Sequence, residues 1–292
     1  MNKKVKFLAY LLVAVISVSV VFSFTGCKQS GSNQGATSQQ PAQEVKITMN
    51  GSTTVFPIAQ KAAEVYMDKH PNVKISVEGT GSGNGIAALI DGTTDIANSS
   101  REIKQEEIEK AKAKGVNPYE IPIALDAISI IVNPANPITN LTRQQVIDIF
   151  TGKITNWKEL GWKDAPIVVV SRDTSSGTYG AFMELALPKD AQITDKAIYQ
   201  SSNQTVKNTV ASTEGAIGYV GLGYLDSSIK AVSYEGVMPS KETAINKTYK
   251  LSRHLYMYTN GEPKGEVKNF IDFVLSPEGQ DIVESVGFIR IK

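Results

Sequence analysis

Three times in this chain a run of strand-forming residues gives way to a loop dense in glycine, serine and threonine, and then at once to a helical pattern. Val45 to Met49 alternates as a strand, Gly51-Ser52-Thr53-Thr54 interrupts it, and Pro57 opens a helix with Ile58, Ala62, Val65 and Tyr66 on one face. Val73 to Val77 is the second strand, followed by the glycine-rich run Gly79 to Gly85 and a short helix from Ile86 to Ile90. Ile167 to Val170 is the third, with Arg172 to Thr178 as its loop and Tyr179 to Leu185 as its helix. Strands alternating with helices predict α/β lobes with largely parallel sheets.

Other segments fill in the organisation. Lys104 to Lys114 is rich in Glu and Lys and reads as a solvated helix, and Thr142 is a plausible N-cap for a helix reaching Phe150. Ile121 to Val132 is one long extended run and Arg253 to Thr259 another, and both suit crossings between lobes. The chain then leaves a first lobe near Asp126, builds a second, and returns near Tyr256 to finish the first with helices over Glu266 to Leu275 and Pro277 to Val286. The expected boundaries are 44–126 plus 256–292 for lobe I and 127–255 for lobe II. These are ordinary domain sizes.

The N-terminal residues point outside the cytoplasm. Lys3, Lys4 and Lys6 precede an apolar run from Phe7 to Phe24 that stops at Thr25-Gly26-Cys27, the pattern of a secretory signal over residues 1–26. The run is nearly long enough to span a bilayer, so a retained membrane helix is the alternative. Cys27 is the single cysteine, so no intrachain disulfide can form. Phe24-Thr25-Gly26-Cys27 resembles the bacterial lipobox, with Phe24 in place of the usual leucine, and implies a lipidated Cys27; an incidental free thiol is the alternative. Residues 28–43 are polar and poor in apolar side chains, a flexible tether. With 30 basic and 29 acidic residues there is no excess of charge to hold nucleic acid, and only His70 and His254 are available as histidine ligands for a metal or as histidine proton donors.

The loops themselves carry chemistry. The first N–H groups of a helix have no internal partners, and the aligned peptide dipoles place partial positive charge there. Glycine lets backbone approach a ligand closely, and Ser and Thr add rotatable donors. Three convergent loops with Arg172 could enclose a tetrahedral oxyanion without a metal or other cofactor. Charge-assisted hydrogen bonds contribute about 1.5–3 kcal/mol each, so a fraction of such a set reaches the roughly 8 kcal/mol of micromolar binding. Each loop taken alone is more often only a helix cap and turn, and Arg172 alone could be a surface ion-pair residue.

The segments Gly51-Ser52-Thr53-Thr54-Val55-Phe56-Pro57, Gly79-Thr80-Gly81-Ser82-Gly83-Asn84-Gly85, Asp95 to Arg101 and Ser171-Arg172-Asp173-Thr174-Ser175-Ser176-Gly177-Thr178 stand in a familiar order and spacing. With Gly215 to Val220 and Ser276 to Gln280 they make everything after the tether resemble the PstS family, the phosphate-binding subunits of bacterial phosphate ABC transporters. The resemblance implies a two-lobed periplasmic-binding-protein-like fold of type II with the ligand cleft between lobes. It also implies high-affinity capture of inorganic phosphate by a lipid-anchored, extracytoplasmic protein, and delivery to a permease and ATPase complex. By the same resemblance Ser52, Thr53, Thr54 and Ser82 would bind phosphate from lobe I, and Arg172, Ser176, Gly177 and Thr178 from lobe II. A third lobe I contact falls at Ser100 and Arg101, where some members place an aspartate that accepts the proton of hydrogen phosphate. Ser100 stands at that position, and Thr174 stands where many members carry an acid beside the arginine. Asp126, between Leu125 and Ala127, is a second candidate acceptor, and a partner for Arg101 or Arg172 is its other reading.

Rival functions remain open at this level. Ser100 leaves room for sulfate, molybdate or another oxyanion as ligand, and a phosphate sensor or adhesin would need the same fold. An exported phosphatase or serine hydrolase fits poorly: Ser82 lacks the Gly-x-Ser-x-Gly elbow because Thr80 precedes it, and no Ser, His and Asp stand in recognisable context. The sequence therefore reads as a binding protein and not an enzyme.

Overall fold

The computed structural model describes residues 44–291; the predicted signal peptide, Cys27 and the tether lie outside them. Alternation sets the first strand, β1 (Val45–Gly51), with Ile47 and Met49 buried, and it pairs in parallel with β2 (Val73–Gly79) in the register Val45 to Val73. Between them α1 (Phe56–Lys69) takes Pro57 in its first turn and buries Ile58, Ala59, Ala62, Ala63 and Tyr66. The next helix, α2 (Ser82–Ile90), starts a full turn before Ile86, the expected beginning. The second half of the glycine-rich run, Ser82 to Gly85, is thus the helix's first turn and not a loop, and a Cβ on Gly85 would stand 2.5 Å from the Asn50 carbonyl oxygen. Glycine there lets the helix rest on the end of β1.

β3 (Ile96–Ser99) pairs in parallel with β1, and α3 (Gln105–Ala113) follows in the Glu/Lys-rich segment. The long extended run is a single strand, β4 (Pro118–Val132). After the short β5 (Asn140–Leu141) comes α4 (Arg143–Phe150), whose N-cap is Thr142 in a reciprocal box with Gln145. Then follow β6 (Val168–Arg172), α5 (Gly177–Ala186), β7 (Ile198–Gln200), α6 (Asn203–Ser212), β8 (Ala216–Gly221), β9 (Lys230–Ala231), β10 (Ser233–Tyr234) and α7 (Lys241–Ile245). The chain ends through β11 (Ser252–Asn260), α8 (Gly265–Leu275) and α9 (Pro277–Ser285). Among the described residues no helix is long and apolar enough to cross a membrane.

One mixed sheet runs in the order β2-β1-β3-β11-β4-β8-β6-β7, with β9 also on β4. Two large cores flank it. Ile47, Met49, Ile123, Leu255 and Phe270 belong to one, and Ile128, Ile130, Phe150, Phe182 and Tyr219 to the other. β4 serves both, passing from the first at Ala124 to the second at Ala127, and the chain returns between Leu251 and Leu255 on β11.

Strand direction then fixes where the loops go. β11 is antiparallel to both β3 and β4, with Ser99 opposite Tyr256 and Tyr256 opposite Pro122. On the other side β8 is antiparallel to β4, with Gly221 opposite Ile128, and β6 runs parallel to β8. The strands of the two halves therefore run toward each other, and the carboxyl ends of β1, β3, β6 and β8 all meet over the middle of β4. Ligands of open α/β sheets bind at such carboxyl ends.

Candidate functional site

Asp126 lies at that meeting point, fully buried, and Arg253 on β11 stands opposite it in the strand register. Arg253 Nε and Nη2 donate to Asp126 Oδ2 at 3.0 and 2.8 Å, and the Leu222 N–H donates to Oδ1 at 2.8 Å. Asp126 is therefore the partner neither of Arg101 nor of Arg172, as the sequence suggested, but of an arginine the sequence reading passed over. Its two oxygens are both engaged by protein donors.

The loop after β1 enters α1 through Ser52, Thr53 and Thr54, all buried. Ser52 Oγ accepts from the N–H groups of Thr54 and Val55, which is a local turn bond that leaves its own proton free. Thr54 Oγ1 lies 2.8 Å from Thr178 Oγ1 at the start of α5. Ser82, first in α2, accepts the Ser100 N–H at 3.1 Å, and the two hydroxyls are 3.4 Å apart. Gly177 closes over this pair: a Cβ there would stand 2.2 Å from Ser82 Oγ and 2.6 Å from Ser100 Oγ. Only glycine brings α5 so near. A backbone bond from Gly83 N–H to the Ser175 carbonyl at 2.8 Å joins the starts of α2 and α5.

Arg172, at the end of β6, is 1% exposed. Its Nε donates to the Gln200 carbonyl at 3.0 Å and its Nη2 to the Ser201 carbonyl at 2.9 Å, while Nη1 is buried without a protein partner among the described residues. Burial pulls its pKa below the ordinary arginine value; nearby Tyr219 and Asp173 act the other way, and the positive charge of Arg253 depresses it further. Burial likewise lowers Arg253, against the pull of Asp126. An arginine starts so high that both stay cationic near neutral pH. Asp126 offsets the Arg253 guanidinium, and Asp173, whose Oδ1 accepts from the Ser175 N–H, lies within electrostatic reach of Arg172.

Not every residue singled out from the sequence faces this point. Ser176 Oγ accepts the Tyr179 N–H as the N-cap of α5. Arg101 turns its guanidinium to Glu107, with Nη2 to Oε1 at 2.7 Å and Nη1 to Oε2 at 2.8 Å, and Nη1 also donates to the Glu102 carbonyl. Three participants went unread. Asn203, first in α6, donates through Nδ2 to Thr53 Oγ1 at 3.0 Å and Thr54 Oγ1 at 2.9 Å. Arg253 Nη1 reaches the Ser100 carbonyl at 2.8 Å and its Nη2 the Thr178 hydroxyl at 3.0 Å. The Tyr224 hydroxyl donates to the Thr53 carbonyl at 2.5 Å. A lone charge in each of the two extended runs, Ile121 to Val132 and Arg253 to Thr259, was the signal for the Asp126–Arg253 pair; nothing in the sequence marked Asn203.

The PBP superfamily domain matches residues 31–278. The phosphate-binding protein PstS of Bacillus subtilis is 32% identical over 100% of this chain and 95% of its own, and PstS of Pseudomonas aeruginosa is 35% identical over 82% and 81%. A crystal structure from Clostridium perfringens, described as a putative phosphate ABC transporter substrate-binding protein with bound phosphate, is 40% identical. It covers 85% of this chain and 100% of its own with a TM-score of 0.79. An ABC-type phosphate transport receptor from Vibrio cholerae is 35% identical with a TM-score of 0.69, covering 83% of this chain and 99% of its own. With a family model spanning most of the chain and relatives more than 30% identical over most of their length, the chain belongs to the PstS family of phosphate-binding proteins in the PBP superfamily.

Proposed function

We propose that this protein captures inorganic phosphate outside the cytoplasmic membrane and delivers it to the permease and ATPase of an ABC transporter, with no catalysis of its own. The observation that carries this reading is Arg172 Nη1 at the end of β6, a buried cationic donor without a protein partner among the described residues and within electrostatic reach of Arg253 and Tyr224. A buried charged donor is costly unless an acceptor meets it, and a phosphate oxygen is a matching one. Ser52, Thr53, Thr54, Ser82, Ser100, Gly177 and Thr178 would supply the remaining donors, with Ser176 contributing as cap and Arg101 bordering the cleft. Lobe I (44–126 plus 256–292) and lobe II (127–255) would part to admit the anion and close on it. Isothermal titration of the purified protein with phosphate tests the reading: one site with at least micromolar affinity is expected, and absence of heat with phosphate would end it.

A second reading, capture of another tetrahedral oxyanion such as sulfate, is favoured by one observation. Both oxygens of Asp126 are already engaged, and Ser100 offers a hydroxyl where an acceptor carboxylate would admit a protonated anion. Titration with sulfate and molybdate separates the two. The lipid anchor at Cys27 rests on sequence alone: labelling of the full chain with a palmitate analogue in cells, lost on Cys27→Ser, is the result expected of it.

A further inference from the structure

The hydroxyls at the convergence do not choose their own direction. The Gly221 N–H donates to Asn203 Oδ1 at 3.1 Å, and because a backbone N–H can only donate, this bond fixes which end of the buried amide is oxygen. The NH2 end therefore faces Thr53 and Thr54 and donates to both. Arg253 Nη2 donates to Thr178 Oγ1 at 3.0 Å and lies 3.4 Å from Thr54 Oγ1. Neither an amide NH2 nor a guanidinium has a lone pair to offer, so each threonine oxygen is an acceptor toward the protein and its own proton must go elsewhere. Thr54 and Thr178 share one proton across 2.8 Å; the other, and that of Thr53, remain to be donated.

We infer that Asn203 and Arg253 are positioning residues that hold Thr53, Thr54 and Thr178 as donors toward the bound anion, an inference that rests on the anion-binding reading above. The same bonds connect the two cores. Asn203 begins α6, which packs on β6 and β8 of the second half, whereas Thr53 and Thr54 belong to the loop after β1 in the first. Arg253 likewise holds the Ser100 carbonyl of the first half and the Thr178 hydroxyl of the second. These contacts exist only with the halves together, so they act on how long the anion stays and not on how fast it arrives.

The test uses the full chain, with Asn203→Ala and Arg253→Lys, the latter keeping a cation beside Asp126. Titration with inorganic phosphate gives affinity and stoichiometry, and a chase of radiolabelled phosphate gives the release rate. For each variant we expect roughly tenfold or greater loss of affinity, a stoichiometry still near one, release faster by a similar factor, and association changed by less than about threefold. In a Thr53→Val/Thr54→Val background Asn203→Ala should cost much less, since both of its targets are gone. Wild-type affinity in both variants, additive losses, or a loss that appears as fewer competent molecules with unchanged release would overturn the inference. The wild-type titration reads the phosphate assignment separately: a wild type that takes sulfate instead moves the same comparison to sulfate, and one that binds neither removes both proposals.

Discussion

Arg253 and Asp126 face each other across β11 and β4, and two guanidinium nitrogens reach a single carboxylate oxygen at 2.8 and 3.0 Å with both side chains almost wholly out of solvent. A buried pair of this kind adds little over a well-packed apolar pair, yet breaking it strands a charge. Asp126→Asn should therefore lower unfolding free energy by about 3–5 kcal/mol in urea titrations without ligand. The double variant Asp126→Leu/Arg253→Met should recover much of that stability and still bind phosphate poorly. A double variant that binds like wild type would show the pair to be structural only.

Arg172 spends Nε and Nη2 on the carbonyls of Gln200 and Ser201. A lysine cannot hold both carbonyls and still present a third donor in a fixed plane. Arg172→Lys is expected to weaken phosphate binding by about 10- to 100-fold, the equivalent of one charge-assisted bond. Calorimetry showing unchanged affinity would remove Arg172 from the site.

Gly177 has no room for a side chain, because a Cβ would overlap the hydroxyls of Ser82 and Ser100. Those groups lie across the cleft, so Gly177→Ala should hold α5 away from α2 and leave each core intact. Small-angle scattering with saturating phosphate should show the variant more extended than wild type, and affinity should drop at least about tenfold. Matching scattering curves would mean the helix can shift without opening the cleft.

Arg101 and Glu107 give a pH prediction. Burial works to raise the Glu107 carboxyl, but the Arg101 guanidinium and the Lys104 N–H outweigh it and hold the group below its ordinary value. A carboxyl with a lowered folded-state pKa contributes stability that is present above its unfolded pKa of about 4.3 and lost as pH falls through the folded value. Glu107→Gln should thus cost roughly 1–2 kcal/mol at pH 7, and the gap to wild type should shrink steadily below about pH 4. A gap independent of pH in thermal melts would contradict the ion pair.

Local rules made the strand–loop–helix units legible, because period-two alternation, Pro57 and the Thr142 cap act within a few residues. The glycine run Ser82 to Gly85 misled, since glycine signals a loop unless a neighbouring backbone demands closeness, and that neighbour, the end of β1, is distant in sequence. The Asp126–Arg253 pair hid for a related reason. Two extended runs with one charge each were visible, but their register was not, and the ladder is irregular between Leu255 and Tyr256. Asn203 was invisible in principle: its role depends on Gly221 and on two threonines 149 and 150 positions away.

Selectivity is the last consequence of how the acceptors are spent. Hydrogen phosphate differs from sulfate in carrying a proton, and a site recognises it by presenting an acceptor or penalises sulfate by presenting a negative charge. Here the Asp126 oxygens are engaged, Thr53, Thr54 and Thr178 receive donors from Asn203 and Arg253, and Ser82 receives the Ser100 N–H. With hydroxyls left mainly to donate, preference for phosphate over sulfate should be modest at pH 7. Ser100→Asp would place a carboxylate against Ser82 and the anion, accepting the phosphate proton while repelling sulfate, and should raise the phosphate-to-sulfate affinity ratio by at least about tenfold. Competition titrations at fixed ionic strength read that ratio directly. If wild type already rejects sulfate strongly and Ser100→Asp changes nothing, the proton is being accepted by a group other than those facing the convergence.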